Sequence, residues 1–235
     1  MTLPEVMHDL AALGSEQTRR TLVRHGAPEP LFGVRIGDLQ PLRRRLRGEQ
    51  ALALALYRTT NSDAMYLAGL VASGALMSPE ELESWAAESR WHLHAGTTVP
   101  CVASEHPDGF SLAEAWTHAQ PELTAIAGWS TLAAIVATQP DGNLPLAAFR
   151  SLINRTTREL HAAPDRVRYA MNSFLIACGT YSDPLTADAL AAAASLGTVS
   201  VNMGATACRV PDAASTIARS RHGSMPAPKR KSIRC

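Results

Sequence analysis

Apolar residues recur at intervals of three and four almost from the first residue. Leu3, Val6, Met7, Leu10 and Leu13 share one stripe, which predicts a short helix over 3–13 ended by Gly14. Ser15 caps a second helix with Thr18, Leu22 and Val23 inward and Arg19, Arg20 and Arg24 outward. Gly26-Ala27-Pro28-Glu29-Pro30 breaks the pattern. A helix near Gly37 to Arg47 then puts Leu39, Leu42 and Leu46 on its core face, with Arg43, Arg44, Arg45 and Arg47 around the rest. Helices near 49–58 and 61–73 follow. The first is apolar nearly all round, which predicts a sandwiched helix, and Asn61 or Ser62 caps the second.

The stretch from Trp85 to Trp129 holds all four tryptophans. Ser78-Pro79-Glu80-Glu81 opens a helix with a capping box and a proline at its first position. A helical pattern from about Trp91 to Glu105 contains Pro100, which should kink or split it. Ser111-Leu112-Ala113-Glu114 reads as a second capping box leading into Trp116, and Gln120-Pro121-Glu122 opens a helix through Trp129 to about Thr138. Beyond Pro140-Asp141-Gly142 lie helices near 145–161, 165–178 and 184–196, and a last turn from Pro211 to Arg219. Thr198-Val199-Ser200-Val201 is the one β-like run. Helical pairs repeat at about 30–50 residues, the range of stacked helical repeats. The expected fold is all-α, an α-solenoid or irregular superhelix of HEAT type with a concave groove. A compact non-repeat bundle is the alternative. One domain is expected over 1–218, followed by a distinct segment, 219–235.

That last segment is set apart by charge. It carries Arg219, Arg221, Lys229, Arg230, Lys231 and Arg234 and no acid, a net +6, whereas residues 1–218 sum to −5. Such asymmetry predicts either an arm for phosphate contacts or a solvated terminus. No run of about 18 apolar residues exists, which excludes a transmembrane helix, and the N-terminus has no signal-peptide pattern. Cys101, Cys178, Cys208 and Cys235 are far apart and form no zinc spacing, so no metal or cofactor is expected, and a reducing, cytoplasmic setting is.

Several stretches, taken in order and spacing, resemble the AlkD-like DNA alkylation repair proteins, from about Gln17 to Cys235. They are Phe32-Gly33-Val34-Arg35 with Asp38-Leu39 and Leu42; Ala127-Gly128-Trp129; Arg168-Tyr169-Ala170-Met171-Asn172; Gly179-Thr180-Tyr181; Cys208-Arg209-Val210-Pro211-Asp212-Ala213; and Lys229-Arg230-Lys231. The resemblance implies a HEAT-like fold whose concave basic surface holds duplex DNA, alkylated or not. It also implies glycosylase chemistry on N3- and N7-alkylated purines without base flipping. A cationic purine is already a good leaving group. What helps it leave is a tryptophan face and a carboxylate that stabilises the oxocarbenium sugar or orients water. Active members carry a tryptophan, then an aspartate, then a second aspartate four residues after the tryptophan. Here the run is Trp91-His92-Leu93-His94-Ala95, so both carboxylates are replaced, by His92 and Ala95. The family arginine before Ala-Gly-Trp is Ile126, and the second cleft tryptophan falls near Phe174.

The candidate catalytic residues are therefore Trp91, against a cationic base, and Glu122, as a substitute acid. Each has a structural alternative: a packed tryptophan, and a first-turn acid complementing the helix dipole. Trp85, Trp116 and Trp129 are expected in the core. His92 cannot pair with His94 across the helix; it reads as a solvated histidine, with a group titrating near neutrality as the functional alternative. The DNA-binding candidates are Arg35, Arg43, Arg168, Asn172, Lys229, Arg230 and Lys231, with a solvated surface or a buried polar contact as the alternatives. Three functions stay open for what is expected to be a monomer: a glycosylase, a non-catalytic DNA-binding relative, and a helical-repeat scaffold for a protein.

Overall fold

Helix signals in the sequence become helices in a computed structural model, which describes residues 1–204, 206, 208–221 and 225–234. In chain order the α-helices are α1 Leu3–Leu13, α2 Glu16–Arg24, α3 Gln40–Arg45, α4 Gln50–Arg58, α5 Ser62–Val71, α6 Pro79–Ala87, α7 Val99–Ala103, α8 Gly109–Trp116, α9 Glu122–Thr138, α10 Leu146–Glu159, α11 Asp165–Tyr181, α12 Asp183–Leu196 and α13 Ala213–Ser220. Ser15, Asn61 and Ser78 cap α2, α5 and α6 through their side chains, as the sequence predicts. The box at Ser111 is not a start. α8 begins a turn earlier behind Asp108, whose carbonyl accepts both the Leu112 N–H and the Ser111 hydroxyl. The β-like run at 198–201 pairs with no strand among the described residues. It is tied down by side chains, with Arg168 donating to the Ser200 carbonyl and Asp165 accepting from the Asn202 N–H.

The stacking is that of a HEAT-like superhelix. α5, the helical segment ending in α7, α9 and α11 form an inner layer, and α4, α8 and α12 lie against α5, α9 and α11. The inner helices are buried almost all round, which is why α9 shows no single apolar stripe. Small residues let them close up: a Cβ on Gly128 would stand 2.7 Å from the Ala113 carbonyl oxygen, so α8 and α9 cross on a glycine. Trp85, Trp116 and Trp129 are buried as expected, with Trp85 stacked 4.0 Å from Tyr57. Phe174 is also core, packed between Trp129 and Phe149 and fully buried, so it is not the cleft aromatic that the resemblance suggests.

Residues 225–234, together with Arg221, form a strap across the C-terminal ends of three inner helices. Arg221 donates to the Gly179 carbonyl of α11 and pairs with Asp183 at 2.8 Å. Lys229 donates to the Val136 carbonyl of α9 and to Asp141, both at 2.8 Å. Arg234 donates to the Gly69 and Ala72 carbonyls at the end of α5 and pairs with Glu105. Backbone N–H groups of Ala227 and Arg230 donate to Thr180 and Ala137. Three of the six basic side chains of residues 219–235 are thus directed at the partial negative charge of helix ends rather than held out as a free arm.

Candidate nucleic-acid interface

The inner layer walls a cleft of about 410 Å³. Its first wall is the segment from His92 to Thr97, whose shape Pro100 dictates. With no N–H at residue 100, an α-pattern bond to the Gly96 carbonyl cannot form. The chain widens instead into a π-turn over His94–Thr98, with the Val99 N–H reaching the His94 carbonyl. The expected kink is absorbed this way, and Gly96 and Thr97 face the cleft. The second wall is one face of α9, Ile126, Ser130 and Ala133, and the third is Arg166, Tyr169, Ala170 and Ser173 of α11. His25, Met203, Thr206 and Cys208 close the rim. Arg166 donates to the Met203 carbonyl at 3.2 Å, which holds the rim loop against α11.

Burial decides the state of the histidines. His94 is fully buried. Its Nε2 lies 3.0 Å from the Ser62 carbonyl, to which the N–H donates, and its Nδ1 is unpartnered. Burial pushes its pKa down to about 4. His92 stands on the cleft wall, and burial, with the Arg166 and His25 charges added, holds it at about 4 as well. It is neutral at physiological pH, not the near-neutral titrating group its position suggests. Both rings meet the Trp91 indole edge-on, at 5.4 and 5.6 Å. Trp91 is 6% exposed, packs on Ala27 and Leu31, and donates from Nε1 to the His25 carbonyl at 2.9 Å. Its indole anchors the 25–31 loop behind the cleft wall.

The other sequence candidates are spread over the molecule. Arg168 and Asn172 lie on α11, but on the face turned away from the cleft. Arg168 donates to the Ser200 and Ala163 carbonyls, and Asn172 is fully buried, donating to the Pro211 carbonyl. Glu122 is exposed in the first turn of α9, one turn before Ile126, and lines a separate hollow with Trp129, Arg155 and Glu159. Arg155 lies over the Trp129 ring there, 5.3 Å from its centroid. Trp91 and Glu122 are not brought together. Arg35 is exposed and paired with Asp38 at 2.7 Å, Arg43 is half-buried at the end of α3, and Lys229 sits in the strap. Arg230 and Lys231 are exposed. Cys235 lies outside the described residues. Sequence reasoning missed Arg166, Tyr169, Ser130 and His25. The signal available was the matched spacing of three and four residues on α9 and α11.

The profile of a family described as DNA alkylation repair enzyme matches residues 6–213. The chain belongs to that family. Two uncharacterized Listeria proteins, from Listeria innocua and Listeria monocytogenes, are each 34% identical over 229 residues, covering 94% of this chain and 98% of theirs. A solved structure described as a new family of proteins related to the HEAT-like repeat DNA glycosylases, with affinity for branched DNA structures, superposes with a TM-score of 0.91 at 29% identity over the whole of both chains. For this DNA alkylation repair family member, the replaced positions have structural meaning. Ala95, where the second aspartate would stand, is fully buried, and Ile126 puts a methyl-lined wall where the family arginine is expected. No helix of the described residues is long and apolar enough to cross a membrane.

Proposed function

We propose that this protein binds DNA, preferentially branched duplex, in the cleft by shape and backbone contacts, and does not excise bases. One observation carries this reading: among the described residues the cleft wall has no carboxylate. Loss of an alkylated purine leaves positive charge on the sugar, and a carboxylate is the group that stabilises it or orients the attacking water. His92 can never be anionic, and it is neutral here. Glu122 opens onto a different hollow. What the cleft keeps is suited to holding a backbone: the Arg166 guanidinium, the Tyr169 phenol, and the Ser130, Thr97 and Ser173 hydroxyls. The affinity for branched DNA of the structural relative supports the choice of ligand.

The test is binding of a linear duplex and a four-way junction across a salt series, beside base release from duplex containing 7-methylguanine and 3-methyladenine. The expected outcome is salt-dependent binding, tighter for the junction, with no base released. Arg166→Ala should lower the log–log salt slope by about one unit, the loss of one phosphate contact. Release of base that is lost in Trp91→Ala or Glu122→Gln would instead establish the excision chemistry of the family. No salt-sensitive binding to either DNA would favour the protein-scaffold reading.

A further inference from the structure

Behind the cleft, at the other end of α5, a second opening of about 620 Å³ is lined by Arg43, Arg44 and Arg47, with Glu105 and Arg234 at its edge. Arg43 and Arg44 stand in the last turn of α3 and Arg47 in the turn that follows it, and all three line the opening. Arg45 points elsewhere, to Asp9 at 2.9 Å. Arg43 has a 3.3 Å contact to Gln40, whereas Arg44 and Arg47 are exposed and have no hydrogen bond or ion pair among the described residues. Two guanidinium groups of the lining are thus left free among the described residues.

The strap makes this opening fit for an anion. Left alone, the C-terminal carbonyls of α5 and the Glu105 carboxylate would repel one. Arg234 covers the Gly69 and Ala72 carbonyls and both Glu105 oxygens, so their negative charge is answered inside the protein. The field that remains is that of the three arginines.

We propose that Arg44 and Arg47, with Arg43, hold the phosphodiester backbone of a second duplex arm while the cleft holds the first. This rests on the proposed DNA-binding function and extends it to a division of labour between two surfaces. The geometry that separates them is α5. Its ten residues span about 15 Å, with Ser62 beside the His94 wall at one end and the arginine opening at the other. α5 is buried from Ser62 to Leu70, so the line between the two surfaces runs through the protein interior. The two openings share no lining residue, so a duplex seated in the cleft leaves the arginine opening to another stretch of DNA. A junction presents a second arm where a linear duplex has none.

The experiment compares wild type, Arg44→Ala/Arg47→Ala and Arg44→Lys/Arg47→Lys on a four-way junction and a linear duplex of two-arm length. For the alanine variant, junction affinity should fall at least tenfold, its salt slope should drop by about two units, and linear-duplex affinity should stay within twofold. The lysine variant should retain most junction affinity. Unchanged junction binding by the alanine variant overturns the second site. An equal loss on both DNAs also overturns it, since the arginines would then serve a single wrapped duplex. If wild type binds neither DNA, the DNA-binding function itself fails and this site fails with it. That outcome is visible before any variant is made.

Discussion

The Asp63 carboxylate accepts the N–H groups of Phe32, Gly33 and Val34 at 2.6, 3.0 and 3.0 Å. This gives the Phe32-Gly33-Val34 stretch a physical role: three consecutive donors wrap a buried anion. Gly33 is required there, with φ of +80° and a Cβ that would stand 2.5 Å from the Arg19 nitrogen. As a residue in the first turn of α5, Asp63 could only be read from the sequence as a helix-dipole partner, because its donors lie about thirty residues earlier. Asp63→Asn would turn an amide N–H₂ toward N–H donors. It should cost about 3 kcal/mol and lower the melting temperature by about 6–12 °C, read by calorimetry. His94 makes a second residue-scale prediction. Its folded pKa of about 4 lies below the ordinary 6.5. As pH falls between those values the unfolded chain takes up a proton that the folded chain refuses, so stability is full above pH 6.5 and is lost toward pH 4. In His94→Gln that acid-side slope should shrink by about one proton, measured from urea midpoints between pH 7 and 4.5. The miss on α11 belongs to this scale too. The sequence points to Arg168 and Asn172, whereas Arg166 and Ala170 face the cleft. Two residues turn a helix by roughly 200°, and residue type alone cannot say which of two arginines faces inward.

At the scale of elements, caps and periodicity made most helices legible, because these signals are local. Errors arose where a local signal had a competing use. Ser111-Leu112-Ala113-Glu114 fits a capping box but lies inside α8, since Asp108 already supplies the first carbonyl. Pro100 announced an irregularity without revealing its form; a π-turn answers the missing N–H while keeping the helix direction, and it shapes one wall of the cleft. The helix-end contacts of the strap were not legible at all, because Lys229 finds Asp141 across 88 positions and Arg234 finds Glu105 across 129. Removing one of them should be costly. Arg234→Ala leaves Glu105 and two α5 carbonyls without their cation, a loss of about 3 kcal/mol for a mostly buried charge partner. Thermal unfolding should report it as a fall of about 6–12 °C, with Arg234→Lys recovering part of the loss.

For the whole molecule, the all-α stacked architecture followed from helix lengths and turn spacing, and the missing carboxylates were visible in Trp91-His92-Leu93-His94-Ala95. The charge asymmetry was visible too, but its use was not, since half of the basic side chains in 219–235 turn inward. A stacked repeat array is ordinarily elastic: each unit touches only its neighbours, so bending spreads along the stack and curvature adapts to whatever is bound. Here Arg221, Lys229 and Arg234 bond to the ends of α11, α9 and α5 from the C-terminal segment. That segment acts as a tie across an arch. Flattening the groove would require the spacing of these helix ends to grow and so break the contacts of Arg221, Lys229 and Arg234 with their carbonyls. The arch therefore keeps its radius under load, and in the proposed DNA-binding function it is the nucleic acid, not the protein, that must bend.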